Sequence, residues 1–399
     1  MNSFDFELKE RIFMLDCGRK YYTPIWIKKL MRELKESGYN AIMLHFSEDM
    51  GLRLESKKYP WLAGGDHTLC VFGSEKGACE DDEKYLTQSE MADIVSYAHS
   101  LKMKVIPSFD SPGHMNYAVK KYNLYYGKDI GNYFHKNGKI SLVKGSSFNK
   151  EEAQLSYSRG IDIANAEAVA FARALYYKYG KFFYELGCRD FDIGGDELLG
   201  FGESIDDSLS KWQNLDHWAE YARKVTGNPK AVAYDAFIIY FNGIAALMRS
   251  IGYQSVRMWN DDAYRSFDTE WCGAAELDKS IEIQYWSPLA NGGANTAQFY
   301  IDRGHNVYNF NSWYSYYVIG KGAHVTPEAI EKEWTPLVFD HIVPENNPTS
   351  LNEKIKGAGY CLWSDAPKVE SEDEVIEIIR PYFNAYGKKL IGAGNNPRF

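Results

Sequence analysis

RIFMLDCGRKYYTPIWIKKLMRELKESGYNAIMLHF, residues 11–46, sets the architecture. Residues 11–15, apolar from Ile12 on and without polar alternation, have the pattern of a strand buried on both faces. The run ends at Asp16-Cys17-Gly18-Arg19. Thr23 followed by Pro24 reads as a helix start, with a hydroxyl to cap the first free N–H groups and a proline where no N–H is needed. Ile27, Leu30, Met31 and Leu34 then share one helical face, and Gly38 closes the helix. Residues 40–46 are a second buried strand. Strand, helix and strand in so short a span predict alternating β and α elements and a parallel sheet.

The pattern continues outward. After a long loop from 47 to about 85, Thr87-Gln88-Ser89-Glu90 resembles a capping box and starts a helix reaching about 101. Residues 104–109 form the third strand, ending in Asp110-Ser111-Pro112-Gly113-His114, and 115–160 form a second long insertion. A helix over about 165–186 leads into the fourth strand, Asp190-Phe191-Asp192-Ile193-Gly194-Gly195-Asp196-Glu197. A loop with Trp212 and Trp218 and a helix over 234–250 precede strands at 255–259 and 281–286. A helix over 297–303, a strand over 306–311, a weaker helix over 327–334, a strand over 359–363 and a last helix over 372–386 complete the chain. Eight strands mostly separated by helices, with no repeat and no disordered linker, predict one domain over residues 1–399, a (β/α)8 TIM barrel with long βα loops. An open doubly wound sheet would call for GxGxxG after the first strand, which is lacking.

Composition narrows the function. The 399 residues carry a net charge of -9, which argues against nucleic acid as a partner and suits a neutral or cationic substrate. Thirty Tyr and ten Trp fit a surface that stacks on sugar rings, and equally a Tyr-rich core and surface, so composition alone does not decide. The six Cys form no CxxC pair or Cys/His cluster, so no zinc site is expected. Cys70 and Cys79 could bridge one loop, while others sit in apolar runs as buried thiols. The first residues lack a basic region and an apolar segment, so the expectation is a cytoplasmic protein or a secreted one whose signal has been removed. With no run of 18 apolar residues, no membrane span is expected. Nothing in the sequence specifies an oligomeric state.

In such a barrel the site lies at the C-terminal ends of the strands. Those ends carry, in order, Arg19; His45 and Glu48; Asp110 and His114; Asp196 and Glu197; Trp259; Trp286; Tyr314 and Tyr316; and Trp363 and Asp365. This predicts a sugar-sized pocket with aromatic walls, an acidic pair at its floor, an arginine clamp and an acceptor aspartate. Two adjacent carboxyls tend to have their pKa values pushed apart, as acid–base work needs. A metal held by His45, Asp110 and His114 is an alternative; the expectation is no metal and no cofactor, with His114 partnering a carboxylate.

The chain resembles glycoside hydrolase family 20, the β-N-acetylhexosaminidases. The resemblance rests on Asp16 to Tyr22 (DCGRKYY), His45 to Glu48 (HFSE), Ile106 to His114 (IPSFDSPGH), Ile193 to Glu197 (IGGDE), Arg257 to Asp261 (RMWND) and Leu362 to Asp365 (LWSD). The N-terminal α+β domain of many members is not seen, which is similar to the single-domain dispersin type, active on β-1,6-linked poly-N-acetylglucosamine. HFSE and Arg53 to Ser56 (RLES) equally resemble lacto-N-biosidase-type members.

The resemblance implies retaining, substrate-assisted exo-hydrolysis of terminal β-linked N-acetylglucosamine (or N-acetylgalactosamine) through an oxazolinium intermediate. Depolymerisation of poly-β-1,6-N-acetylglucosamine and release of a disaccharide are the enzymatic alternatives, and a non-catalytic sugar-binding barrel is the alternative from another class. By the resemblance Glu197 is the general acid, Asp196 accepts the acetamide N–H, and Tyr316, with Tyr314 as the second candidate, donates to the acetamide oxygen. Trp259, Trp286 and Trp363 form the aromatic box. Arg19 and Asp365 bind sugar hydroxyls, while His114, Glu48 and Asp110 support Glu197 and Asp196. The chain departs from the family where Glu48 replaces an Asp, Ser108 replaces a Glu, and Tyr316, Tyr317 and Val318 stand where many members carry an acid.

Overall fold

The apolar runs are strands, and the helices begin where their caps place them. The computed structural model describes residues 8–69, 81–135, 156–198, 216–264, 273–289 and 295–392; Cys70, Cys79, Trp212 and Cys272 lie outside them. Eight strands, β1 (Glu10–Asp16), β2 (Ala41–His45), β3 (Lys104–Ser108), β4 (Asp190–Asp192), β5 (Ser255–Trp259), β6 (Ile281–Tyr285), β7 (Val307–Asn309) and β8 (Ile355–Trp363), pair in parallel in chain order. β8 also pairs with β1, with Met14 opposite Cys361, so the sheet closes. The fold is a (β/α)8 TIM barrel.

Each strand divides its side chains between two cores, as its two-residue period requires. Ile12 and Met14 of β1 point into the barrel, where they meet Met43, Ile106, Tyr308 and Cys361. Phe13 and Leu15 point outward onto the helices, against residues such as Ile27, Leu30 and Phe383. A polar plug closes the N-terminal end: buried Arg257 of β5 reaches Glu10 of β1 at 2.6 Å and lies 4.1 Å from the centre of the Tyr308 ring.

The expected caps are present. Thr23 accepts from the Trp26 N–H at the start of helix Pro24–Glu36. Thr87 and Glu90 form the reciprocal capping box of helix Gln88–Ser100. Asn165 caps helix Ala166–Glu185.

Two helices emerge in stretches read as loop. Helix Asn116–Tyr126 starts with no side-chain cap, and its apolar face is interrupted by Lys120 and Lys121. Helix Asp216–Thr226 buries Trp218 with Ala219 and Ala222, side chains too small to mark a face in the sequence. β8 begins at Ile355 rather than at Gly359, and the final helix runs on to Gly392. The seventh strand position is split. After β7, a short helical turn (Ser312–Ser315) leads to Tyr316–Val318, which pairs alongside Cys361–Trp363 of β8 and then turns back in a hairpin with Gly322–Ala323. No helix among the described residues is long and apolar enough to cross a membrane.

Candidate active site

The C-terminal end of the barrel is a ring of polar and aromatic groups fixed by the strand ends. Asp16 closes β1. Its Oδ1 accepts the N–H groups of Gly18 and Arg19 at 3.1 and 3.0 Å, and its Oδ2 accepts Arg19 Nη1 at 2.8 Å and the Ser364 N–H at 3.0 Å. One buried carboxylate thus ties β1 to the end of β8 and aims the guanidinium. Arg19 reaches Glu48 Oε1 at 2.6 Å and approaches Asp365 at 3.8 Å, with Trp363 5.5 Å away at its ring centre. Burial works against the Arg19 charge, but Glu48, Asp16 and Asp365 hold it well above its usual value.

His114 follows β3 in a left-handed backbone conformation, φ 50°. Its Nδ1 meets Glu48 Oε2 at 3.1 Å, and its Nε2 faces Asp196 at 3.7 Å and Glu197 at 3.5 Å. Burial disfavours the imidazolium, yet Glu48 and Asp196 outweigh it and raise His114 well above the ordinary histidine value. Glu48 is driven the other way: burial opposes ionisation, while Arg19 and His114 hold its carboxyl well below the usual range.

The Gly-Gly step before the acids has a steric reason. Gly194 has φ +72°, and a Cβ there would lie 1.8 Å from Asp110 Oδ1. Gly195, at φ +104°, donates its N–H to that same oxygen at 3.0 Å. Only glycine permits both the backbone conformation and the approach. Asp110 and Asp196 offer oxygens within 4.8 Å of one another, so the charge of one disfavours the charge of the other. Burial, then the charge of Asp110, pushes Asp196 well up, with His114 opposing; burial also pushes Asp110 up.

Glu197 has φ 46°, a conformation that costs a non-glycine residue about 1–3 kcal/mol and collects at functional sites. Its N–H donates to Asp261 Oδ2 at 2.7 Å, and its side chain remains 26% exposed.

These groups open onto a cavity of about 200 Å³. Of the residues singled out from the sequence, Arg19, His114, Asp196, Glu197, Trp286, Tyr316, Trp363 and Asp365 line it. Trp286 and Tyr316 are nearly parallel, 6.2 Å apart and inclined by 11°. Burial raises the Tyr316 hydroxyl well above its usual value, so it stays a donor. Trp259 lies beneath the lining, packed against Phe310 at 5.3 Å and Trp363 at 6.2 Å. Glu48 and Asp110 sit behind the wall. Tyr314 is not in the lining; its hydroxyl donates to Glu333 at 3.2 Å.

Sequence reasoning gave several participants no role in the pocket or its floor. Met50, Val318 and Lys321 also line the cavity, and Lys321 pairs with Asp365 at 2.9 Å. Under the floor, Ser108 donates to Asp192 Oδ2 at 2.6 Å and meets His45 Nδ1 at 2.8 Å, while Gln284 donates to Asp192 Oδ1 at 2.8 Å. Burial pushes Asp192 up to about 7. Their signal was inward-facing polar residues inside otherwise apolar strands. His45, Glu48 and Asp110, and likewise Asp110, His114 and Asp196, offer ligand atoms within 4.8 Å of one another. Arg19 and the His114 imidazolium already bring positive charge to these carboxylates.

The family model described as "Glycosyl hydrolase family 20, catalytic domain" matches residues 9–385. A lacto-N-biosidase of Bifidobacterium bifidum is 25% identical over 304 residues, covering 73% of this chain and 22% of that protein. A beta-hexosaminidase subunit A1 of Dictyostelium discoideum is 21% identical over 357 residues, covering 89% of this chain and 54% of that protein. The chain therefore spans about half or less of the length of these curated relatives. The crystal structure of Dispersin B superposes with a TM-score of 0.67 at 22% identity, covering 96% of this chain and 99% of that one, and so shares the fold. With the family match running from the first barrel strand into the last helix, this chain belongs to glycosyl hydrolase family 20.

Proposed function

We propose that the protein is a retaining exo-β-N-acetylhexosaminidase, removing a terminal β-linked N-acetylglucosamine by substrate-assisted catalysis. The observation that carries this reading is the cavity itself: Asp196 and Glu197 share one wall with Trp286, Tyr316 and Trp363 around them. A retaining glycosidase that supplies its own nucleophile needs two carboxyls about 5–5.5 Å apart flanking the scissile bond. Consecutive residues on one strand end do not straddle a sugar in that way. The nucleophile is then the substrate's own 2-acetamido oxygen.

In this mechanism Glu197 protonates the leaving oxygen and afterwards takes a proton from water. Asp196 accepts the acetamide N–H and balances the positive charge that develops on the ring. For that, Asp196 must be ionised; burial and the charge of Asp110 oppose this, and His114 favours it. Tyr316 donates to the acetamide oxygen and helps hold it in line with C1, where positioning supplies much of the rate. Arg19 and Asp365 hold the outer hydroxyls, and Trp286 and Trp363 enclose the acetamide methyl and the sugar face.

The test is a panel of glycosides. The expected result is release of nitrophenol from 4-nitrophenyl β-N-acetylglucosaminide, with the β-anomer of the free sugar formed first. β-1,6-linked oligomers, chitobiose and lacto-N-tetraose then set the product. Release of single sugars supports the exo reading, and release of a disaccharide or internal cutting replaces it. No turnover across the panel, with binding retained, would mark a sugar-binding barrel.

A further inference from the structure

Asp261 has no part in the chemistry above, yet both of its oxygens are bonded to the cavity wall. It is 4% exposed. Oδ2 accepts the Glu197 N–H at 2.7 Å, and Oδ1 accepts the Trp286 indole Nε1–H at 3.0 Å. The carboxyl is itself mounted rigidly. The Asn260 N–H donates to the Gln284 carbonyl at 3.1 Å, Asn260 Oδ1 accepts the Trp286 N–H at 2.8 Å, and Asn260 Nδ2 donates to the Ser287 carbonyl at 2.8 Å. The Trp259 N–H donates to the Gly194 carbonyl at 3.0 Å. The turn after β5 therefore braces the ends of β4 and β6. Glu197 needs such a brace, because its left-handed backbone is not one it adopts unaided.

We propose that Asp261 is a positioning residue that locks the Glu197 backbone and the Trp286 ring into one unit, setting the acid's carboxyl against the sugar held by the aromatic wall. The inference rests on Glu197 being the general acid. Burial and the neighbouring Asp262 push the Asp261 carboxyl up to about 8, while the Glu197 and Trp286 N–H groups favour its charged form. With an N–H on each oxygen the geometry is that of a carboxylate accepting two bonds at once, whereas an asparagine amide offers one oxygen and turns an NH2 toward the second donor. Asp261→Asn thus releases either Glu197 or Trp286.

The experiment compares two β-N-acetylglucosaminides, one with a 4-nitrophenoxide leaving group, which departs with little protonation, and one with a methoxide leaving group, which requires the acid. For Asp261→Asn the expected loss in kcat/KM is about 100-fold on the methyl glycoside, the scale on which a 1 Å misplacement acts, and less than about tenfold on the nitrophenyl glycoside. Trp286→Phe, which removes only the indole N–H among the bonds to Asp261, shows the same selectivity at smaller size, and the double variant loses less than the product of the two single losses. Equal losses on the two glycosides, or independent losses in the double variant, overturn the proposal, because a merely structural role lowers both substrates alike. If Asp261→Asn does not fold, Trp286→Phe decides alone: selective loss supports the proposal and uniform loss overturns it. Glu197→Gln in the same assay separates the two readings. Without selectivity there, the acid assignment itself falls; with it, and with none in Asp261→Asn, only the positioning role falls.

Discussion

Glu197→Gln is expected to slow the cleavage of a glycoside with a sugar or alkyl leaving group by about 100- to 10,000-fold, the range a positioned general acid supplies. The amide keeps the size and the hydrogen-bonding reach of the acid but has no proton to give. The bond from the Glu197 N–H to Asp261 Oδ2 uses the backbone and remains in place. The fold and substrate binding should therefore survive, and kcat, rather than KM, should carry the loss. The measurement is steady-state kinetics on chitobiose, alongside 4-nitrophenyl β-N-acetylglucosaminide, where the loss should be smaller. Unchanged turnover of chitobiose would remove Glu197 from the role of acid.

Asp196→Asn is expected to lower kcat/KM by about 100- to 1,000-fold, the scale seen when one preorganised electrostatic partner of a transition state is removed. Two effects combine. The carboxylate charge that balances the developing oxazolinium is lost, and the amide can present its NH2 to the acetamide N–H. The loss should fall on nitrophenyl and alkyl glycosides alike, since with either leaving group the acetamide oxygen bonds to C1 as the bond from C1 to the leaving oxygen breaks. That pattern separates Asp196 from Glu197, whose loss depends on the leaving group. Selectivity of the Glu197 kind in Asp196→Asn would show that the two roles had been divided wrongly.

Much of the barrel was legible because its strands are buried on both faces and its helices carry local start signals. Ile12 to Leu15 reads as apolar whichever face each residue takes. Thr23-Pro24 and the Thr87–Glu90 box mark helix starts from neighbouring residues alone. The split seventh strand was not legible. Tyr316 enters the cavity because Tyr316–Val318 pairs with residues 361–363, a long-range partner that no local pattern announces. Within that piece the strand period sends Tyr316 inward and Tyr317 outward, where its hydroxyl reaches Glu370. Tyr314, still in the helical turn, points elsewhere.

Depth was also hidden. Trp259 is the last residue of β5, whereas Trp286 lies one residue beyond the end of β6, and only the latter lines the cavity. Asp261 stood within a stretch already quoted for its resemblance, but its two hydrogen-bond partners lie 64 and 25 residues away in sequence. A short acidic side chain after a strand reads as solvated surface until those partners are placed beside it.

The central claim is that the substrate's acetamido oxygen, held by Asp196 and Tyr316, is the nucleophile. The most direct measurement is kcat/KM for a series of 4-nitrophenyl glucosaminides whose N-acyl group is acetyl, fluoroacetyl, difluoroacetyl or trifluoroacetyl. Each fluorine withdraws electron density from the carbonyl oxygen while changing its size little. The mechanism proposed here predicts a steep and monotonic fall in kcat/KM along the series. A flat series, with the first-formed sugar still the β-anomer, would contradict it and assign the nucleophile to the protein.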